Sequence, residues 1–257
     1  MNPTTRGALL LTLVALATMP VYAFVKGRRP VDADVARRPT TILLGTWIRD
    51  WLMWLITPIE QALVRGGVSP DALNYIGGVL GLFAGIAYGR SLLAVGGWLI
   101  LLGGLADILD GRVARARGIA SNYGEFLDSM LDRFAEMFAF MGLAVYFRPS
   151  RWEMLATVLA LGGSMMVSYA RAKGEGVGVD CRGGIMQRAE RLVLLALASL
   201  LDDPLTHTFG WSPGSVLLVA IFAIGVGSVG TAVYRTFYIA RELRKKEALG
   251  VPQKFGH

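Results

Sequence analysis

Apolar residues along this chain gather into long runs separated by short polar breaks. The first run extends from Gly7 to Val25. Pro39 to Arg65 is different: Ile42, Leu43, Leu44, Trp47, Trp51, Leu52, Trp54, Leu55 and Ile59 are mixed with Arg49, Asp50, Glu60 and Arg65. Three tryptophans beside charges predict a helix lying in the membrane interface, the alternative being a poor spanning helix. Pro58 is expected to cap or kink it. Gly66 to Pro70 is a break, with Ser69 as a candidate N-cap and Pro70 at the first helical position. Six further runs follow: Asp71 to Tyr88, Leu92 to Ala106, Phe126 to Phe147, Trp152 to Tyr169, Leu192 to Leu201 and Val216 to Ile239. The run from Leu192 is short and must borrow from Gln187 to Arg191 and from beyond Asp203 to cross a bilayer. Gly77, Gly81, Gly85 and Gly89 recur every four residues in the first of these six, a spacing that lets helices approach closely in lipid.

The pattern predicts an all-α integral membrane protein. Its parts are an N-terminal transmembrane helix with a basic linker over residues 1–38, an interfacial amphipathic helix over 39–69, a six-helix transmembrane core over 70–241, and a tail over 242–257. Composition agrees: 54% of the 257 residues are hydrophobic, and mean hydropathy is +0.50, too apolar for an ordinary soluble domain.

Net charge is +7, which in such a chain reads first as topology. Nucleic-acid binding is the weaker reading, because no basic patch is interleaved with exposed aromatics. Bases cluster at Arg112, Arg115 and Arg117, again at Arg171, Lys173, Arg182, Arg188 and Arg191, and in the tail at Arg241, Arg244, Lys245 and Lys246. The intervening loops hold only Arg90, then Arg148 and Arg151, then Asp202 and Asp203 with no base. This alternation predicts that the basic segments face the cytoplasm across the inner membrane. Val21-Tyr22-Ala23 could pass for a signal-peptidase site, but Lys26, Arg28, Arg29, Arg37 and Arg38 follow the apolar core rather than precede it. A retained helix is therefore the reading adopted. Cys181 is the single cysteine, which excludes an internal disulfide and any multi-cysteine metal site.

The chemistry lies at the boundary of the second and third core runs. Asp107 and Asp110 are three residues apart and Asp128 and Asp132 four apart, so each pair shares a helix face. Four acids beside apolar sequence are costly unless something positive sits among them. Mg²⁺ and Mn²⁺ are hard ions that prefer carboxylate oxygens. Two ions about 3.5–4 Å apart could clamp a pyrophosphate during in-line displacement. The competing reading is ion pairing with Arg112, Arg115 or Arg133. Gly111 and Gly124 could let a phosphate approach the backbone, and Arg115 could pair with it. Another class, a cation transporter using these acids, predicts them near mid-membrane on broken helices.

The full pattern, Asp107-x2-Asp110-Gly111-x2-Ala114-Arg115-x8-Gly124-x3-Asp128-x3-Asp132, resembles the complete signature of the CDP-alcohol phosphotransferases. The resemblance extends to Gly67-Val68-Ser69-Pro70 and the six core runs. It implies transfer of a substituted phosphate from a CDP-linked donor, usually CDP-diacylglycerol, to an alcohol, with release of CMP. It implies Asp107, Asp110 and Asp128 as metal ligands, and Asp132 as both ligand and general base. Gly111, Ala114, Arg115 and Gly124 are implied to line the donor pocket, with Ser121 and the segment from Pro70 to Asn74 nearby; Asn74 stands where many members carry threonine. A homodimer is implied as well.

The acceptor turns on a second basic cluster. Arg188 and Arg191 share a face at i, i+3, and Arg171 and Lys173 come from the preceding helix end. Converging on one cavity, they suit a phosphate dianion; otherwise they are topological charge touching head groups. The segment is similar to that of enzymes forming phosphatidylinositol phosphate and archaetidylinositol phosphate, although Gln187 and Ala189 stand where acid and proline are frequent. That similarity implies a phosphorylated polyol acceptor, inositol 1-phosphate, held by Ser168, Arg171, Lys173, Arg188 and Arg191. Glycerol 3-phosphate, the acceptor of phosphatidylglycerophosphate synthases, is the alternative.

Overall fold

The computed structural model describes residues 3–27, 31, 32, 35 and 45–249. Ile42, Leu43, Leu44, the basic residues Arg28, Arg29, Arg37 and Arg38, and the tail from residue 250 lie outside these. The described elements are helices: α1 (Pro3–Lys26), α2 (Thr46–Arg65), α3 (Pro70–Gly89), α4 (Leu93–Ala116), α5 (Asn122–Tyr146), α6 (Arg151–Gly176), α7 (Arg188–Phe209) and α8 (Ser215–Ala248).

Six of them close a ring. α3 packs on α4, α4 on α7, α7 on α8, α8 on α6, α6 on α5, and α5 back on α3. Five of the six, all but α5, are long and apolar enough to cross a membrane. α5 has 25 residues, roughly 37 Å of helix against about 30 Å of hydrocarbon. Its sequence carries Glu125, Asp128, Asp132, Arg133 and Glu136; Glu125 is exposed near its start, while Asp128, Asp132 and Glu136 recur on the face shielded by the ring.

The helices overrun the apolar runs that announced them. α4 continues past Ala106 to Ala116, so Asp107 and Asp110 sit within it. It stops where Gly118 takes a left-handed backbone (φ 66°). There Ile119 N–H donates to Ala114 O at 3.0 Å, satisfying an end carbonyl. Ser69 does cap α3 by position, with Pro70 at its first turn, although its hydroxyl makes no capping bond. α2 runs unbroken through Pro58 to Arg65. Asp202 and Asp203 lie inside α7 rather than in a loop. Asp202 is buried and holds the start of α8, accepting from Gly214 N–H at 2.7 Å and Val216 N–H at 3.0 Å. A carboxylate there satisfies first-turn donors that have no helical partner.

The glycine ladder meets two neighbours. Gly77 lies 3.6 Å, by its would-be Cβ, from the Gly103 carbonyl of α4. Gly81 and Gly85 face α5, where a Cβ would fall on Ala135 and on the Phe138 carbonyl respectively. Gly142 of α5 answers Gly85, so backbone meets backbone with no side chain between. Gly85→Ala is expected to destabilise the protein by about 1–3 kcal/mol, since the atom it meets is main chain. Thermal unfolding in detergent would register this, and an unchanged midpoint would show that the two helices can separate freely.

α1 is not a loose appendage. Tyr22 is fully buried and its hydroxyl bonds the Asp50 carboxylate of α2. Trp51 Nε1 donates to Thr18 Oγ1 at 2.9 Å.

Candidate active site

The acids arrive on two antiparallel stretches, the C-terminal turns of α4 and the N-terminal turns of α5. Ser121 caps α5 by accepting from Gly124 N–H at 3.1 Å. That bond fixes where the helix starts, and hence which face carries Asp128 and Asp132. Carboxylate oxygens of Asp107, Asp110 and Asp128 all lie within 4.8 Å of one another. Asp110 is buried, and its Oδ1 also accepts from Gly111 N–H. Asp128 Oδ1 is buried without a hydrogen-bond partner. Three convergent carboxylates and one orphaned buried oxygen fit a hard divalent cation.

Asp132 stands apart from that trio. It is bound by the Arg188 guanidinium of α7, which also reaches Asp107 Oδ2 at 3.1 Å. Arg188, from the helix packed beside α4, therefore bridges the acids, and Arg115 lies within electrostatic reach of Asp110. Arg112 turns away to Asp32 and Glu60, and Arg133 to the Ser129 carbonyl. A narrow cavity runs down from Asp107, Asp132 and Arg188, walled by Asn74, Glu136 and the small residues Gly77, Gly81, Gly103 and Gly104.

Of the donor-side residues, Pro70 opens α3 and Asn74 is buried one turn later, facing that cavity. Gly111 leaves room for Arg115, whose Nη1 lies 3.1 Å from where a Cβ would be. Ala114 lies one turn beyond Asp110 on the same helix. Gly124 packs 3.5 Å from the Ser121 hydroxyl by the same measure.

The acceptor set divides. Arg191 is 1% exposed and closes a pair with Glu136, with Nε 2.7 Å from Oε1 and Nη2 3.1 Å from Oε2. Ser164 of α6 donates to the same Glu136 Oε1. Arg171 pairs with Glu175 at 2.8 Å on the exposed end of α6, where Lys173 is also exposed and Ser168 half-buried. Arg235 of α8 is buried and donates to the Gly183 and Val167 carbonyls, both at 2.9 Å, within electrostatic reach of Arg171 and Arg191. Of the acceptor set, Arg188 is the member paired with the aspartates, at Asp107 and Asp132.

Glu136 escaped the sequence reading. The signal was there: Asp128, Asp132 and Glu136 recur every four residues along one face of α5. A fully buried acid paired with a fully buried arginine ties α5 to α7, and losing either partner would strand the other at about 3–5 kcal/mol.

The sequence profile described as CDP-alcohol phosphatidyltransferase matches residues 68–227. The chain belongs to this family. It is therefore an enzyme, a transferase of substituted phosphate groups. A phosphatidylinositol phosphate synthase of Streptomyces avermitilis is 33% identical over 80% of this chain and 86% of that relative. An archaetidylinositol phosphate synthase of Methanothermobacter thermautotrophicus is 32% identical over 72% of this chain and 90% of its own length. Two crystal structures of the Mycobacterium tuberculosis phosphatidylinositol phosphate synthase are similar in fold at 29% identity. One has CDP-DAG bound, with a TM-score of 0.63 over 71% of this chain and 92% of that one. The other is a complex with manganese and citrate, with a TM-score of 0.64 over 71% and 88%. As a CDP-alcohol phosphatidyltransferase, the protein is an integral membrane enzyme, and its cluster of Asp107, Asp110 and Asp128 could hold a metal ion.

Proposed function

We propose that the protein transfers the phosphatidyl group of CDP-diacylglycerol to inositol 1-phosphate, giving phosphatidylinositol phosphate and CMP. The observation that carries this is Arg188, which spans Asp107 and Asp132. A cation fixed at that junction suits a second phosphate brought beside the metal acids, which an uncharged alcohol such as serine would not need. The names of the relatives point the same way.

Asp107, Asp110 and Asp128, joined by Asp132, would hold Mg²⁺ or Mn²⁺, two ions by analogy with other phosphoryl-transfer sites. The metal, when bound, neutralises charge developing on the transferred phosphate oxygens. Asp132 accepts the proton of the attacking inositol hydroxyl. That oxygen bonds to the phosphorus bearing diacylglycerol, and the bond from this phosphorus to CMP breaks. Gly111, Ala114, Arg115 and Gly124, with Pro70, Asn74 and Ser121, frame the CDP moiety. Arg188 orients the acceptor phosphate, while Ser168, Arg171 and Lys173 form the polar approach to it. Arg191, held by Glu136, supports Arg188 from one turn away. The residue ranges 1–38, 39–69, 70–241 and 242–257 stand as anchor, interfacial helix, catalytic core and tail. The site opens to the cytoplasm by the distribution of basic residues, and the enzyme works as a homodimer in the inner membrane.

The test is CMP release by purified protein with CDP-diacylglycerol and Mg²⁺, offered one acceptor at a time. Inositol 1-phosphate is expected to give product, and serine none. Product from glycerol 3-phosphate alone would make the enzyme a phosphatidylglycerophosphate synthase.

A further inference from the structure

α4 presents two opposed faces at its functional end. Asp107, Asp110 and Ala114 form one; Leu109, Arg112 and Val113 form the other. The first belongs to the site. The second is gripped by residues that precede the family's matched region of 68–227.

That grip is a chain of specific contacts. Arg112 Nη1 lies 3.1 Å from Asp32 Oδ2, and its Nε donates to Glu60 Oε2 at 2.5 Å. Asp32 N–H in turn donates to Asp50 Oδ1 at 2.8 Å, and Tyr22 of α1 bonds the other oxygen of Asp50. Val35 packs with Met53 and Ile56 of α2 against Leu109 and Val113. Both ion pairs are mostly shielded, with side chains only 11–15% exposed. Water therefore competes with them less than at a surface pair. Arg112 sits two residues from Asp110, so whatever fixes Arg112 fixes the rotation of the helix that carries two of the acids.

We propose that α1, Asp32 and α2 form a clamp that positions the metal-binding end of α4, with Arg112 as the positioning residue and Asp32 and Glu60 as its anchors. The clamp acts through helix orientation and touches neither donor nor acceptor. The inference rests on the metal role proposed above, not on which acceptor is used.

Full-length Asp32→Asn in detergent tests it, because the change keeps size and removes charge. Two readouts are taken without substrates: amide hydrogen exchange along each helix, and Mn²⁺ binding followed by electron paramagnetic resonance. Exchange over residues 109–117 is expected to quicken while α7 keeps its wild-type rate. Mn²⁺ binding is expected to weaken by about 10-fold, the scale of losing a supporting contact behind a metal ligand. Tyr22→Phe, one link further out, should move both readouts the same way by less. Unchanged Mn²⁺ binding, with or without faster exchange, overturns the proposal. So does exchange that quickens evenly over all the helices, which would mark a merely structural contact. Failure of wild-type protein to use inositol 1-phosphate would sink the acceptor reading and leave these two readouts untouched.

Discussion

Asp132→Asn is expected to lower the rate of CMP release by about 10²–10⁴-fold, the contribution of a positioned general base. The amide keeps the shape of the side chain but cannot take the acceptor proton. Asp132 lies outside the trio of carboxylates that converge within 4.8 Å, and is held instead by Arg188. The loss should therefore fall on kcat, with a smaller change in the Mg²⁺ concentration giving half-maximal rate. Asp128→Asn should show the opposite emphasis, because its buried Oδ1 has no other partner. Single-turnover CMP release across a metal titration separates the two. Full turnover by Asp132→Asn would end its assignment as the base.

Arg188→Ala should raise the KM for inositol 1-phosphate by about 10–100-fold, corresponding to the loss of a charged hydrogen bond of roughly 1.5–3 kcal/mol. The same change removes the cation lying on Asp107 and Asp132. Metal and arginine compete for those oxygens, so apparent metal affinity should rise as acceptor affinity falls. Opposite signs in one variant are hard to obtain from misfolding. Steady-state kinetics with each substrate varied, and with Mg²⁺ varied, provide the check. An equal rise in the KM for CDP-diacylglycerol would remove Arg188 from the acceptor site.

The spans were legible because apolar runs of this length have few alternatives in water or lipid. α5 was legible too, since its charges lie on one face spaced by three and four. Helix ends were not: hydropathy falls at Asp107, but the backbone continues for more than two turns to the glycine at 118. Asp202 looked like a loop acid because its partners, the first amides of α8, lie 12 to 15 residues away in sequence. The acid cluster could be read from spacing on two helices. The division among Arg171, Lys173, Arg188 and Arg191 could not, because it depends on Glu136 and Glu175 drawing two of the arginines away. No spacing linked Tyr22, Asp32 and Asp50 to one another; their connection is purely tertiary.

The bare contact between Gly85 and Gly142 has a reach beyond stability. With no side chain between the helices to give way, a methyl added there would make this contact the pivot of a tilt of α5. Asp132 lies on the same helix ten residues back, a lever arm of about 15 Å. A tilt of about 4° at the pivot would swing that carboxylate by about 1 Å, and misplacement on this scale can cost about 100-fold in rate. One methyl group ten residues along the helix from Asp132 can thus slow the chemistry with every reacting group intact.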